Sequence, residues 1–296
     1  MRLDSLIEEV RSLSYEEINE LLSSAIELLK SQWEGGLIKN VSGDEAVIIG
    51  DIHGDFKTLN KILKREGILD FLAGGNNKLI FLGDVIDRGP EQLESINLVL
   101  KLKVMFKDKV YYIRGNHEPP IFLPPYPHDF PYVLKMKFGD NGEKLYSRYF
   151  ELFQILPHVI TTKNNLFLVH GGIPPTDFNI DNFVNPTPKI LEYLLWSDPF
   201  EGLGSYPSIR GAGHQFGKDI TEKFLRENGL IMIIRGHEPC EGYKLNHDYK
   251  VLTLFSRVGA PYYNYEAGYL RIPLNTSVSI IDVIKGIRII SEEYSE

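Results

Sequence analysis

The sequence predicts an α/β fold, and two observations carry that prediction. Six short apolar runs, rich in β-branched and aromatic residues, each end in a polar cluster: 46–49, 78–82, 110–113, 166–169, 230–234 and 251–255. Runs of this length that are apolar throughout are typical of strands buried on both faces. Helical patterns separate several of them, at 56–66, 90–106 and 141–155. Because open α/β folds bind ligands at the carboxyl ends of their strands, we expect the polar clusters to meet at one edge of a sheet.

The first 33 residues are predicted to form two helices. Ser14 and Glu17 have the spacing of a capping box, and apolar residues then recur at helical intervals. We therefore expect a helical extension over 1–40, packed on a main domain over 41–296.

Three further segments complete the organisation of the chain. The alternation of apolar and polar residues over about 268–290 predicts antiparallel strands covering a second sheet. A segment rich in proline and aromatic residues, 119–132, and a turn-rich segment, 172–188, are predicted to be loops.

The composition excludes several classes of protein. With 43% hydrophobic and 24% charged residues, the chain has an ordinary globular composition. No apolar run approaches the roughly 20 residues of a membrane helix, and acidic residues interrupt the start where a signal peptide would be apolar. A net charge of −8 argues against nucleic acid as a partner. The single cysteine, Cys240, excludes an internal disulfide, so we expect a cytoplasmic protein.

The polar clusters contain side chains that bind metal ions. Asp51 and His53 lie two residues apart after the first run, so both can face one point. One further donor follows each of the next four runs: Asp84, Asn116, His170 and His237. Carboxylate, imidazole and amide groups without sulfur suit manganese, iron or zinc. These donors are too many for one ion but suffice for two if one carboxylate bridges, and we expect two divalent ions.

Other residues in the clusters suit chemistry at phosphorus, for which paired metal ions are a recurring device. His117 is a candidate general acid, and Asp87 can orient its ring. Arg88 and Arg114 are cations beside the site, and a guanidinium matches the geometry of a phosphate. Each cluster alone has an ordinary explanation as a turn or a helix cap, but five such clusters at five strand ends are hard to attribute to chance.

Five motifs occur in order along the chain: GDIHG (50–54), GDVIDRG (83–89), GNHE (115–118), HGG (170–172) and RGHE (235–238). The set resembles the phosphoprotein phosphatase family, the metal-dependent serine/threonine phosphatases within the calcineurin-like metallophosphoesterases. LLWSDP (194–199), RGAGHQFG (210–217) and LFS (254–256) extend the resemblance over about 46–272. The unusual 119–132 loop and the short C-terminus suggest a prokaryotic-type branch.

The resemblance implies a fold and a set of site residues. The fold is a pair of mixed β-sheets packed face to face and flanked by helices, with 41–296 as the catalytic domain. One metal is held by Asp51, His53 and the bridging Asp84, and the second by Asp84, Asn116, His170 and His237. His117 is the general acid, paired with Asp87. The substrate phosphate is bound by Arg88 and Arg210, with Asn116 as a further contact.

The implied activity is that of a protein serine/threonine phosphatase. It hydrolyses phosphomonoesters in phosphoproteins or phosphopeptides by direct attack of a metal-bridging hydroxide. One alternative is hydrolysis of diadenosine tetraphosphate by a related branch; RGAGHQFG and LLWSDP favour the protein phosphatases. The other alternative is a non-catalytic metal-binding scaffold. The presence of all the expected ligands and of His117 argues against it.

The chain departs from the family pattern in two places. Val85 stands where an aromatic residue is usual, and Ala260 and Pro261 stand where the eukaryotic enzymes carry an active-site tyrosine and a nearby cysteine. Tyr262 or Tyr263 can take the place of that tyrosine. The 119–132 loop follows His117 closely, so we expect it either to form one wall of the substrate groove or to seal its aromatic residues onto the core.

Overall fold

The computed structural model describes residues 2–33 and 35–291, and within these ranges the chain forms ten α-helices and fourteen β-strands. The helices are α1 Leu3–Ser12, α2 Tyr15–Gln32, α3 Phe56–Arg65, α4 Ile68–Ala73, α5 Gln92–Phe106, α6 Phe130–Phe138, α7 Asp140–Ile155, α8 Pro188–Trp196, α9 Lys218–Asn228 and α10 Ile280–Gly286. In the described ranges, no helix combines the length and the apolar character needed to cross a membrane.

The strands divide between two large sheets and one small one. They are β1 Leu37–Val41, β2 Glu45–Ile49, β3 Lys78–Phe81, β4 Val110–Tyr112, β5 Val159–Thr162, β6 Leu166–Val169, β7 Asp198–Pro199, β8 Ser205–Pro207, β9 His214–Phe216, β10 Met232–Arg235, β11 Tyr243–Asn246, β12 Val251–Leu254, β13 Glu266–Pro273 and β14 Ile287–Ser291. The six-stranded sheet has the order β1-β5-β6-β10-β12-β11, and the five-stranded sheet has the order β14-β13-β2-β3-β4. Both sheets contain parallel and antiparallel pairs, so the expected pair of mixed sheets is confirmed.

The six apolar runs are all strands, but they do not share one sheet. β2, β3 and β4 are parallel neighbours in the five-stranded sheet, whereas β6, β10 and β12 are parallel neighbours in the six-stranded sheet. The expectation of a single sheet edge was therefore wrong. An apolar run indicates that a strand is buried on both faces, but it does not indicate which strands pair. Pairing depends on contacts between distant parts of the chain.

Alternation along the strands explains why the runs are apolar throughout. Ile48 of β2 faces the space between the large sheets, where it joins a buried cluster with Leu168 of β6, while its neighbour Val47 faces the helices on the other side. In the six-stranded sheet, Phe167 similarly faces away from that space and packs against Phe224 of α9. Successive side chains of a strand point to opposite faces, so a strand between two packed layers needs apolar residues at every position.

The N-terminal helices have the predicted capping box. The Ser14 hydroxyl accepts from the backbone N–H of Glu17 at 3.2 Å, and the Glu17 carboxylate accepts from the N–H of Ser14 at 2.7 Å. α2 then packs its apolar face into the same buried cluster as α5 and α7. The division between 1–40 and 41–296 stays a prediction; β1 crosses that point and pairs with β5 in parallel.

The C-terminal region differs in part from the prediction. β13 and β14 are antiparallel strands of the second sheet, as expected, but α10 lies between them. This helix begins with a second capping box, in which Ser279 and Asp282 satisfy each other's backbone N–H groups. The alternating pattern had masked this local signal for a helix start.

Two predicted loops end earlier than expected, and one small sheet was not foreseen. Residues 130–132 open α6 rather than closing the 119–132 loop, and a proline in the first turn of a helix needs no N–H partner. The 172–188 segment contains a short 3-10 turn, Ile180–Phe183, before α8 begins at Pro188. β7, β9 and β8 form the additional three-stranded sheet.

Candidate active site

The six predicted metal donors are brought together at the carboxyl ends of strands from both large sheets. In the five-stranded sheet, donors follow β2, β3 and β4; in the six-stranded sheet, they follow β6 and β10. The two sheets are joined at this point, because the backbone N–H of Ser256, after β12, donates to the carbonyl of Asp51 at 3.0 Å. All six donors are buried: Asp51, His53, Asp84, Asn116, His170 and His237.

Asp84 lies between the two groups of donors. Its Oδ2 atom is 3.4 Å from Nε2 of His53 on one side and 3.4 Å from Nε2 of His170 on the other. Asn116 Oδ1 is 3.0 Å from Nε2 of His170 and 3.0 Å from Nδ1 of His237. Two ligands that each lie about 2.1 Å from one ion are roughly 3–3.5 Å apart, so these separations fit shared ions.

The orientation of the imidazole rings also fits metal ligands. Nδ1–H of His53 donates to the carbonyl of Ile86 at 2.8 Å, and Nδ1–H of His170 donates to the carbonyl of Leu82 at 2.9 Å. Each contact leaves the Nε2 lone pair facing Asp84. Backbone carbonyls commonly fix the tautomer of metal-binding histidines in this way. Two electron-pair donors facing a carboxylate oxygen favour a cation between them.

The pKa shifts of the buried donors also fit a metal-binding site. Burial by itself lowers the pKa of His170, but the Asp84 and Asp51 carboxylates raise it to about 9. Burial raises the pKa of Asp51 to about 7. Burial lowers the pKa of His53 to about 3 and holds the pKa of His237 well below its usual value. These two rings therefore stay neutral, as histidine ligands of a metal must be, and the donor set fits two divalent ions.

Two glycines allow backbone segments to approach the carboxylates closely. A Cβ atom on Gly115 would lie 2.1 Å from Oδ1 of Asp84, and one on Gly236 would lie 2.2 Å from Oδ1 of Asp51. Any larger residue at these positions would displace a proposed ligand. The motifs around Asn116 and His237 therefore need glycine for space.

Several site residues have left-handed backbone conformations. The φ angles are 45° at His53, 52° at Asp84, 64° at Asp87, 71° at Arg88 and 70° at His237. Such conformations cost on the order of 1–3 kcal/mol each for non-glycine residues and persist only where the surrounding structure imposes them. The folded sheets therefore hold these side chains in directions that the local sequence does not favour.

His117 and Asp87 form a hydrogen-bonded pair beside the donor cluster. Nδ1–H of His117 donates to Oδ2 of Asp87 at 2.6 Å, and both side chains are buried. Burial would raise the pKa of Asp87, but hydrogen bonds from His117 and His128 hold it well below its usual range. Burial would lower the pKa of His117, but the Asp84 and Asp87 carboxylates raise it above its usual value. His128 was not foreseen, because nothing in its local sequence shows that it reaches Asp87.

A cavity of about 400 Å³ opens over these groups. Its polar base contains His53, Asp84, Asn116, His117 and His237, and its side walls contain Arg88, Arg210, Pro125, Tyr126, Trp196, Pro239, Pro261 and Tyr262. Tyr262 stacks on the His53 ring with centroids 5.7 Å apart, whereas Tyr263 is 73% exposed and does not line the cavity. Of the two tyrosines, Tyr262 is the one at the site.

The three arginines expected near the site have different surroundings. Among the described residues, no hydrogen bond or ion pair occupies the Arg88 guanidinium, which lines the cavity. Nε of Arg210 donates to Asp198 at 2.8 Å, and Asp198 also accepts from the buried Arg235 at 2.7 Å. Arg114 was wrongly expected beside the site. It turns away, and it donates to the carbonyls of Glu118 and Pro119.

Comparisons with known proteins agree with the fold and the cluster. The calcineurin-like phosphoesterase family model matches residues 46–241. A probable serine/threonine-protein phosphatase from Encephalitozoon cuniculi is 34% identical over 244 residues, which are 78% of this chain. The chain spans 50% of that curated relative's length.

Two solved structures show the same fold. A protein serine/threonine phosphatase from Saccharomyces cerevisiae superposes with a TM-score of 0.80 at 24% identity, over 100% of this chain and 97% of the other. A cold-active protein-tyrosine phosphatase from a Shewanella species has a TM-score of 0.58 at 17% identity, over 84% and 80% of the two chains. These identities support the fold alone, and the prokaryotic-type branch stays a prediction. The chain belongs to the calcineurin-like phosphoesterase family.

Proposed function

We propose that the chain is a protein serine/threonine phosphatase that uses two divalent metal ions. The observation that carries the proposal is the position of Asp84, 3.4 Å from imidazoles on both sides and in one cavity with His117, whose ring Asp87 holds. The name of the Encephalitozoon relative supports phosphoproteins as the substrate class.

The proposed metal ligands fall into two sets that share Asp84. Asp51, His53 and Asp84 would hold one ion, and Asp84, Asn116, His170 and His237 the other. Bound there, the ions would activate a water molecule and neutralise charge on the phosphate oxygens. We expect manganese at both positions, with iron or zinc as alternatives, and a cytoplasmic location.

Arg88 and Arg210 are the proposed phosphate contacts, together with Asn116. The Arg88 guanidinium has no partner among the described residues, so binding an anion costs it no existing contact. Arg210 uses Nε to bind Asp198, which leaves both terminal nitrogens available to a phosphate. A net charge of −8 makes such local cations necessary for an anionic substrate.

His117 is the proposed general acid. Its Nδ1–H is engaged by Asp87, and its Nε2 has no hydrogen-bond partner among the described residues. When the P–O bond to the serine or threonine oxygen breaks, the Nε2 proton passes to that oxygen, and the alcohol leaves neutral. Asp87 keeps the ring in the tautomer and direction that this transfer needs.

A substrate panel with metal analysis tests the proposal. We expect about two metal ions per chain and metal-dependent turnover of phosphoserine and phosphothreonine peptides. Preferential cleavage of diadenosine tetraphosphate would instead favour the related nucleotide-hydrolysing branch. A preference for phosphotyrosine peptides would contradict the proposed substrate class. A metal-loaded protein that turns over no phosphomonoester, p-nitrophenyl phosphate included, would be a binding scaffold and not an enzyme.

A further inference from the structure

The Asp87 carboxylate binds two histidines, not one. Oδ2 accepts from Nδ1–H of His117 and from Nδ1–H of His128, each at 2.6 Å. Oδ1 accepts from the backbone N–H groups of Asp129 and Phe130, each at 2.8 Å. Three of these four contacts come from residues 128–130, where the loop that begins after His117 meets the start of α6. The group that orients His117 is therefore itself held in place by this loop.

His128 is in turn fixed by a tyrosine. Its Nε2 atom is 2.8 Å from the hydroxyl of Tyr146 on α7. Burial, with a smaller contribution from Asp87, raises the pKa of Tyr146 to about 12, so the hydroxyl keeps its proton. Donation from that hydroxyl to Nε2 places the His128 proton on Nδ1, directed at Asp87. A continuous hydrogen-bonded chain thus runs from Tyr146 through His128 and Asp87 to His117.

The distances in this group favour hydrogen bonds over a third metal ion. Asp87, His117 and His128 offer ligand atoms within 4.8 Å of one another. Ligands of one ion are roughly 3–3.5 Å apart, whereas each histidine here lies 2.6 Å from the same oxygen of Asp87. Charge-assisted hydrogen bonds have separations of this size.

We propose that His128 is a positioning residue for the general acid: through Asp87 it sets the direction in which His117 presents its proton. The inference rests on the proposed acid role of His117. The same loop supplies Pro125 and Tyr126 to the cavity wall, so His128 connects this wall to the residue that protonates the leaving group. A small error in the direction of a reacting group is enough to slow catalysis substantially.

Two variants of similar size separate the contacts of His128. His128→Asn keeps a donor near the Nδ1 position and so retains the contact to Asp87, whereas His128→Gln keeps a donor near Nε2 and loses that contact. In the metal-loaded full-length protein, we expect His128→Gln to lower kcat on a phosphoserine peptide by about tenfold. Turnover of p-nitrophenyl phosphate, whose leaving group needs no proton, should change by less than about twofold. His128→Asn should retain most of the activity of the unmodified protein on both substrates.

The remaining outcomes are also decisive. Equal losses on both substrates, a rise in KM alone, or failure of His128→Asn to retain activity would each overturn the inference. A metal content above two ions per chain that falls in His128→Gln would replace it with a third metal site. If His128→Gln does not fold, Tyr146→Phe takes its place, and a smaller loss confined to the peptide is expected; no loss would count against the inference.

His117→Asn separates this inference from the proposed function. If His117→Asn shows the difference between the two substrates but His128→Gln does not, only the role of His128 fails. If His117→Asn itself loses both substrates equally, the acid role fails and the inference about His128 falls with it.

Discussion

The base and the wall of the cavity are built in different ways. The base, defined by His53, Asp84, Asn116, His117 and His237, is buried and follows directly from strand ends in the two large sheets. The part of the wall that contains Pro125, Tyr126, Pro261 and Tyr262 comes from irregular loops, and Tyr126 is 94% exposed. The difference agrees with the proposed function, in which the core holds the groups for chemistry and the loops contact the substrate.

Asp84→Asn should have the largest effect, because it acts on both proposed metal positions at once. A neutral amide binds divalent ions more weakly than a carboxylate, so we expect metal content to fall and turnover to be nearly abolished. Metal analysis and phosphopeptide kinetics check this. The control is Asp140→Asn, the same substitution at an exposed residue. A variant with two ions per chain and near-normal turnover would contradict the bridging role.

His117→Asn should affect chemistry without affecting metal binding. We expect the variant to keep its metals and to lose turnover of phosphoserine peptides by roughly 10²–10⁴, the usual contribution of a positioned acid. The loss should be smaller on p-nitrophenyl phosphate. Identical losses on the two substrates would count against the acid role.

Arg88→Ala and Arg210→Ala each remove a cation from the cavity wall and should weaken phosphate binding. Loss of a hydrogen bond to a charged group costs about 1.5–3 kcal/mol, so inhibition by inorganic phosphate should weaken by roughly 10- to 100-fold. We expect the larger effect at Arg88, because Arg210 already binds Asp198. Metal content should not change, since a guanidinium is not a ligand.

A matched control for the two arginines is Arg226→Ala, which changes an exposed arginine on α9 that does not line the cavity. Unchanged phosphate inhibition in both Arg88→Ala and Arg210→Ala would remove these residues from the site. An equal loss in Arg226→Ala would show that the effect comes from total charge.

The double variant Phe122→Ala, Tyr126→Ala tests the loop that supplies Pro125 and Tyr126 to the wall, and it should have the smallest effect. Phe122 is 45% exposed and Tyr126 is 94% exposed, so their loss costs little folding energy. We expect a few-fold rise in KM for phosphopeptides, with p-nitrophenyl phosphate hydrolysis almost unchanged. The control is Tyr132→Ala, which is 65% exposed on α6 and outside the cavity. A fall in activity on both phosphopeptides and p-nitrophenyl phosphate, or a fall in thermal stability, would show that the loop has a structural role.

Much of the architecture could be predicted because its signals are local. The apolar runs, the helical repeats and the first capping box each lie within a few consecutive residues, and their boundaries agree with the structure to within about two residues. α10 was missed, because its capping box at Ser279 and Asp282 lies inside an alternating pattern. The small sheet of β7, β8 and β9 was missed because strands of two or three residues carry almost no periodicity.

Contacts between distant residues could not be predicted in the same way. Arg88 and Arg114 look alike in sequence, each close to a donor motif, yet Arg88 lines the cavity and Arg114 turns away to bind backbone carbonyls. Arg210 lines the cavity while its Nε binds Asp198, a residue that Arg235 also contacts. Such outcomes depend on the path of loops after the strand ends.

By itself, the sequence determined the α/β class, the positions of six buried strands along the chain and the chemical nature of the donors, since each of these depends on residue types at short spacing. The tertiary structure decided how the strands divide between two sheets, which tyrosine enters the cavity and which second histidine reaches Asp87. The physical reason is that left-handed backbone conformations at residues such as Asp84 and Asp87 are locally unfavourable. Only the packed sheets impose them, so the directions of these side chains exist only in the folded protein.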